Sequence, residues 1–177
     1  MSRKGKIKRW DWLSEQVLKY GFTKGAEIGC YKGQTTSHLL RNCFNLELIA
    51  VDLWKFKPEV YCEMELEIRS KEDQKTVFNI FKKAVNPYRM NLKILRGVSW
   101  EMAEQVDDGS LDFIFIDADH GYKSVKKDIL AWAPKVKKGG LISGHDINLP
   151  GVYQAVQELI QDSKAAGYDN IWYTWKK

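Results

Sequence analysis

The chain has 177 residues, 44% of them hydrophobic and 29% charged, with a formal net charge of +5. This length and apolar content support one well-filled core and leave little for a second. No apolar run reaches membrane-spanning length, no apolar stretch follows the basic N-terminus as in a signal peptide, and three cysteines without Cys-x-x-Cys spacing argue against a disulfide framework or zinc site, so a cytoplasmic protein with free thiols is expected.

Residues 1–9 carry Arg3, Lys4, Lys6, Lys8 and Arg9 and read as a basic flexible tail before a single domain over residues 10–177. The tail has no interleaved aromatics or nucleic-acid motif, so a nucleic-acid partner is disfavoured, and nothing calls for a membrane. Asp11 to Tyr20 sets Trp12, Leu13, Val17 and Leu18 on a helical stripe stopped by Gly21. Ala26 to Ile28 reads as a short strand, Gln34 to Arg41 as a helix and Leu46 to Val51 as a second strand. Leu53 to Ser70 mixes Trp54, Phe56, Pro58 and Tyr61 with charges and is the candidate lid. Lys71 to Val85 predicts a helix stopped by Asn86-Pro87, Leu92 to Leu95 a third strand, and Trp100 to Val106 a short helix. Leu111 to Ile116 is almost unbroken in apolar character, as a strand buried on both faces would be. Helix Tyr122 to Trp132, strand Leu141 to Ser143, helix Val152 to Lys164 and strand Ile171 to Trp175 complete the pattern. The alternation predicts an α/β fold with a doubly wound, mostly parallel sheet and helices on both faces.

Two constellations carry chemistry. Gly29 and Gly33 make a turn after the first strand, with Glu27 just before it, and Asp52 ends the second strand about 20 residues on, placed to accept ribose hydroxyls. The spacing differs from the Gly-x-Gly-x-x-Gly that seats a pyrophosphate, so a cofactor with a sulfonium and an amino-acid end, S-adenosylmethionine, suits the turn better. The second constellation is Asp117, Asp119 and His120 with His145 and Asp146, at the ends of two adjacent strands. Paired carboxylates beside a histidine or amide can hold Mg²⁺ or another divalent cation; a histidine ligand favours softer ions. Asp117 and Asp119 could instead cap the helix near Tyr122, and His145 could be a strand-end histidine bonded to backbone. His38 reads as structural, and Trp10, Trp12, Trp132, Trp172 and Trp175 as core or interface.

Glu27 to Thr35, with Asp52, resembles motif I of the class I S-adenosylmethionine-dependent methyltransferases. Gly97-Val98-Ser99-Trp100 resembles the Gly-x-Ser segment beside the adenine in catechol O-methyltransferase-like enzymes. Gly109 to Ile147 resembles the fourth strand, fourth helix and fifth strand of the metal-dependent small-molecule and sugar O-methyltransferases. The resemblance implies a Rossmann-like fold and a cofactor site at Glu27, Gly29, Tyr31, Gly33, Thr35, Asp52, Leu53, Ser99, Trp100 and Asp117. It implies metal ligands Asp117 and Asp146, with His145 or Asn148 as the third. His120 or Asp119 would take the substrate proton, and His120 has the more suitable ordinary pKa. The implied substrate is a small hydroxylated molecule with adjacent hydroxyls, a sugar or catechol-like compound. A metal-independent or nucleic-acid methyltransferase and a non-catalytic cofactor-binding module are the alternatives. Only one strand is expected after the last helix, a trimmed C-terminal hairpin edge, and an exposed aromatic C-terminus points to a homodimer.

Overall fold

A computed structural model describes residues 7–55, 57–60 and 73–177. Helix α1 (Arg9–Tyr20) begins where the Lys8 N–H donates to Asp11 Oδ2 at 3.1 Å, so the last residue of the expected basic tail is helical. It ends at Gly21, whose φ of +64° is the left-handed conformation that glycine adopts at little cost. There follow β1 (Lys24–Ile28), α2 (Gln34–Asn42), β2 (Glu47–Asp52), α3 (Gln74–Val85), β3 (Leu92–Arg96), the single turn α4 (Ser99–Met102), β4 (Leu111–Ile116), α5 (Tyr122–Trp132), β5 (Val136–Gly144), α6 (Pro150–Leu159), β6 (Lys164–Ala165) and β7 (Trp172–Trp175).

The described residues form one seven-stranded sheet in the order β3-β2-β1-β4-β5-β7-β6, with β7 antiparallel to both of its neighbours and the other pairs parallel. Strand order reverses between β1 and β4, and open sheets of this kind form a crevice at such a point, beyond the carboxyl ends of the strands. Every residue of β4 is buried. Its alternation divides the core: Ile114 and Ile116 pack with α5 and α6 on one face, Phe113 and Phe115 with α1 and α2 on the other. Among the described residues no helix is long and apolar enough to cross a membrane.

Three expectations change. The last helix stops at Leu159 rather than Lys164, and Lys164–Ala165 pairs with β7, so the hairpin has two strands, one of them only two residues long. A two-residue strand leaves no periodic trace; Asp169 and Asn170, both at positive φ, carry the connecting turn. The C-terminal aromatics are not exposed: Trp172 is buried, and Trp175 meets Tyr20 edge-on with 4.6 Å between ring centroids. The start of the candidate lid is core, because Trp54 is buried against Phe78 and Phe81 and its Nε1 donates to the Tyr31 carbonyl at 2.8 Å. Within that segment Phe56 and Tyr61 to Ser70 lie outside the described residues, as do Lys71 and Glu72 after it.

Candidate functional site

The turn after β1 is held by the sheet itself. Gly29 has φ +92°, its N–H donates to the Val51 carbonyl at 2.8 Å, and the Asp117 N–H donates to the Ile28 carbonyl at 2.7 Å. A Cβ on Gly29 would stand 2.1 Å from the Asp117 carbonyl oxygen, so the backbone beyond β4 demands glycine here before any ligand does. Gly33 has φ +80° and faces the Phe81 ring. Asp52 is fixed from both sides: Oδ2 accepts the Tyr31 N–H at 2.8 Å and Oδ1 the Trp54 N–H at 2.9 Å.

Two cavities open at the crevice and share Gly29 and Ala118. The first is a narrow cleft with about 60 Å³ of interior space, open to solvent at its mouth. Asp52, Leu53, Ser99, Trp100 and Asp119 line it, together with Asp128 from α5, which sequence reasoning missed. The Ser99 hydroxyl accepts the Trp132 Nε1–H at 3.0 Å and hydrogen-bonds to Asp128. Burial pushes the Asp128 carboxyl up to about 7. The readable signal was its place among Val125, Ile129 and Trp132 on the buried face of α5, where a carboxyl has no reason to sit unless it is used. Asp119 belongs to this cavity rather than the second, and its Oδ2 accepts the Gly121 N–H at 3.3 Å.

The second cavity, with about 220 Å³ of interior space, is lined by Glu27, Tyr31, Thr35, Asp117, His120, His145 and Asp146, and by Arg9, the last residue of the basic N-terminal run. Arg9 Nε lies 3.0 Å from Asp117 Oδ2, and the Arg9 backbone N–H donates to Asp169 Oδ2 at 2.6 Å. His120 Nε2 stands 2.8 Å from Asp146 Oδ2. His145 Nδ1 stands 3.0 Å from Asp146 Oδ1 and 3.6 Å from Asp117 Oδ1, while its Nε2 is 3.8 Å from Asp169. Burial raises the Asp117 pKa against the pull of Arg9, His145 and His120. Burial also opposes ionisation of Asp146, but hydrogen bonds from His120 and His145 outweigh it and hold the carboxyl well below the usual range. His145 is raised, because Asp146 and Asp117 overcome the burial that would lower it. Glu27 accepts the Thr36 hydroxyl at 2.5 Å, and burial pushes its carboxyl up to about 8. One donor atom each from Asp117, His120 and Asp146 lie within 4.8 Å of one another; His145, one of the two residues expected as third ligand, is not in that set. His38, outside both cavities, sits 3.5 Å from Asp11.

A family model described as a methyltransferase domain matches residues 26–147, more than half of the chain, and the chain belongs to that family. Among solved structures, the O-methyltransferase NovP is 16% identical, with a TM-score of 0.74 over 97% of this chain and 80% of that one. The O-methyltransferase from Bacillus cereus, solved with SAH, is 17% identical, with a TM-score of 0.64 over 99% and 82%. TomG from Streptomyces achromogenes, an O-methyltransferase solved with SAM, is 11% identical, with a TM-score of 0.68 over 96% and 80%. Identities this low show a shared fold. A curated protein of Sinorhizobium fredii, the uncharacterized protein y4gI, is 31% identical over 71 residues, a match spanning 38% of this chain and only 8% of that protein.

Proposed function

We propose that this member of the methyltransferase-domain family transfers a methyl group from S-adenosylmethionine to a hydroxyl of a small molecule bearing adjacent hydroxyls, a sugar or catechol-like compound. The observation that carries the reading is the junction of the two cavities at Gly29 and Ala118, one suited to a nucleoside and the other lined by carboxylates and imidazoles. Methyl transfer is an in-line displacement, so donor and acceptor must approach the carbon from opposite sides. The hydroxyl oxygen bonds to the methyl carbon as the carbon–sulfur bond breaks, its electrons return to sulfur, and the hydroxyl proton passes to a base. The SAM and SAH complexes of two fold relatives support the choice of cofactor. Asp52 keeps a lone pair on each oxygen for the ribose hydroxyls. Ser99 and Trp100 would flank the adenine, and Glu27, Tyr31 and Thr35 line the wall left for the amino-acid end.

A divalent cation belongs to this proposal. Asp117, His120 and Asp146 would hold it, a set of two carboxylates and one imidazole that fits Mg²⁺ or, through the histidine, Mn²⁺, Co²⁺ or Zn²⁺. When bound, such an ion brings adjacent hydroxyls into register and makes the attacking one more acidic. Arg9, paired with Asp117, supplies positive charge at the cluster and would have to yield. That contact also favours a second, cation-free reading, in which Arg9 neutralises Asp117 while His120, aligned by Asp146, takes the proton. The two readings use one imidazole in two ways. Asp119 faces the nucleoside cavity, which weighs against it as the base in either.

The test is transfer of labelled methyl to catechol and to a panel of sugars, with and without excess EDTA. Activity lost in EDTA and restored by Mg²⁺ or Mn²⁺ is expected; full activity in EDTA overturns the cation, and no heat on titrating S-adenosylmethionine overturns the cofactor. A cytoplasmic setting suits the buried free thiols of Cys30 and Cys43. Light scattering tests the homodimer, which the packed C-terminal aromatics no longer favour.

A further inference from the structure

Asp128 is 1% exposed on the apolar face of α5, a place where a carboxyl is costly unless every polar atom is partnered. Trp132 Nε1 donates to the Ser99 hydroxyl at 3.0 Å, which leaves the Ser99 hydrogen for Asp128. One carboxyl oxygen is thereby satisfied. The other, Oδ1, is buried with no hydrogen-bond partner. The same carboxyl lines the nucleoside cavity beside Ser99, Trp100, Ala118 and Ser124. Buried polar atoms are nearly always paired, and an unpaired acceptor on a cavity wall marks where a ligand hydrogen belongs.

We infer that Asp128 reads the base of the cofactor, its Oδ1 accepting a hydrogen from the exocyclic amine of adenine. The inference rests on the cofactor reading above, which puts the ribose at Asp52 and the base beside Ser99 and Trp100. The ribose and the amino-acid end are common to every S-nucleosylhomocysteine, so neither Asp52 nor the glycine turn can tell one base from another. Hypoxanthine carries a carbonyl oxygen where adenine carries the amine, and two acceptors would then face each other in a buried site. A protonated acid could donate to that carbonyl and blur the distinction. The charged groups facing Asp128 are Asp119, which opposes its ionisation, and Lys127, which favours it, and burial places its titration near 7. The carboxyl is therefore ionised at a pH of about 8.5, where the comparison is made.

Titration calorimetry of the wild type and of Asp128→Asn with S-adenosylhomocysteine and S-inosylhomocysteine tests this. The wild type should prefer the adenosyl compound by at least about tenfold, the scale of a hydrogen bond to a charged acceptor. In Asp128→Asn, whose amide can accept or donate, the preference should fall below about threefold. A wild type that binds S-adenosylhomocysteine without preferring it, or a variant that keeps the full preference, overturns this inference and leaves the cofactor reading intact. A wild type that binds neither compound overturns both. The wild-type comparison needs no substitution, so a variant that fails to fold does not shelter the inference.

Discussion

On the side of the crevice proposed for the nucleoside, carboxyls are fixed by donors that cannot move far; on the other side they are held by side chains that can. Asp52 accepts two backbone N–H groups whose positions follow from the turn after β1 and the end of β2. Asp128 takes its hydrogen from a serine that a buried tryptophan orients. Across Gly29, by contrast, Asp117 and Asp146 are met by the guanidinium of Arg9 and the rings of His120 and His145. A wall built on backbone and buried indole is a template, complete except for what the ligand brings, and costs little reorganisation on binding. A wall whose charges compensate one another through flexible side chains must exchange partners to admit a substrate or an ion.

That division is most exposed to Asp117→Asn. Turnover should fall by at least about a hundredfold, the scale of losing a group that acts on the reacting hydroxyl, while calorimetric affinity for S-adenosylhomocysteine stays within about threefold, since the ribose and base contacts proposed for Asp52, Ser99 and Trp100 lie in the first cavity, which Asp117 does not line. Equal losses in both measurements would dissolve the distinction between the walls. For the nucleoside wall the expected effect is smaller: Asp52→Ala should weaken S-adenosylhomocysteine by roughly ten- to a hundredfold, as for hydrogen bonds to a charged acceptor, with turnover at saturating cofactor little changed. Because the substitution also strands the Tyr31 and Trp54 N–H groups, a melting curve must accompany it to separate a lost ligand contact from a loosened turn.

Arg9→Ala sharpens the account of the second wall. Removing the guanidinium 3.0 Å from Asp117 leaves two carboxylates with less compensation, so affinity for Mn²⁺, followed by its paramagnetic resonance signal, should rise several-fold. Unchanged Mn²⁺ affinity together with a large loss of turnover would favour the cation-free reading, with Arg9 as the standing positive charge.

The turn and strand ends that form the proposed nucleoside wall are legible in the sequence because their parts are short-range and chemically explicit. Gly29 and Asp52 lie at strand ends, where apolar runs stop at a glycine or an acid, and Gly33 caps the helix that follows. Asp117 and Asp146 were legible for the same reason. What they touch was not, because Arg9 reaches Asp117 across 108 positions of sequence, and no local pattern links a basic N-terminal run to a strand end. Trp54 shows a different limit: charges around it suggested a lid, but at φ +40° its ring turns inward onto Phe78 and Phe81. Gly29 was expected for the right conformation and an incomplete reason, since the atom that excludes its Cβ belongs to the Asp117 backbone.

Glu27 carries the smallest expected effect and asks whether a residue on the cavity wall belongs to the ligand or to the fold. Its side chain is only 2% exposed, accepts the Thr36 hydroxyl and titrates at about 8, so near neutrality it is held as the neutral acid. The unfolded chain gives up that proton near 4.5 and the folded one near 8. The contribution to stability is thus complete below the unfolded value, shrinks as pH rises between the two, and is lost above the folded one. Asp128, raised to about 7 by burial, adds a slope of the same sign that no change at Glu27 removes. Glu27→Gln keeps the shape and an acceptor for Thr36 while abolishing the titration. Urea midpoints should then differ little from the wild type at a pH of about 5, the variant being within about 1 kcal/mol, and should exceed the wild type at a pH of about 9, where the native carboxyl is ionised in its buried site. A variant with the wild-type pH profile but markedly weaker S-adenosylhomocysteine binding would instead return Glu27 to the cofactor, with its buried carboxyl turned toward the cavity rather than toward Thr36.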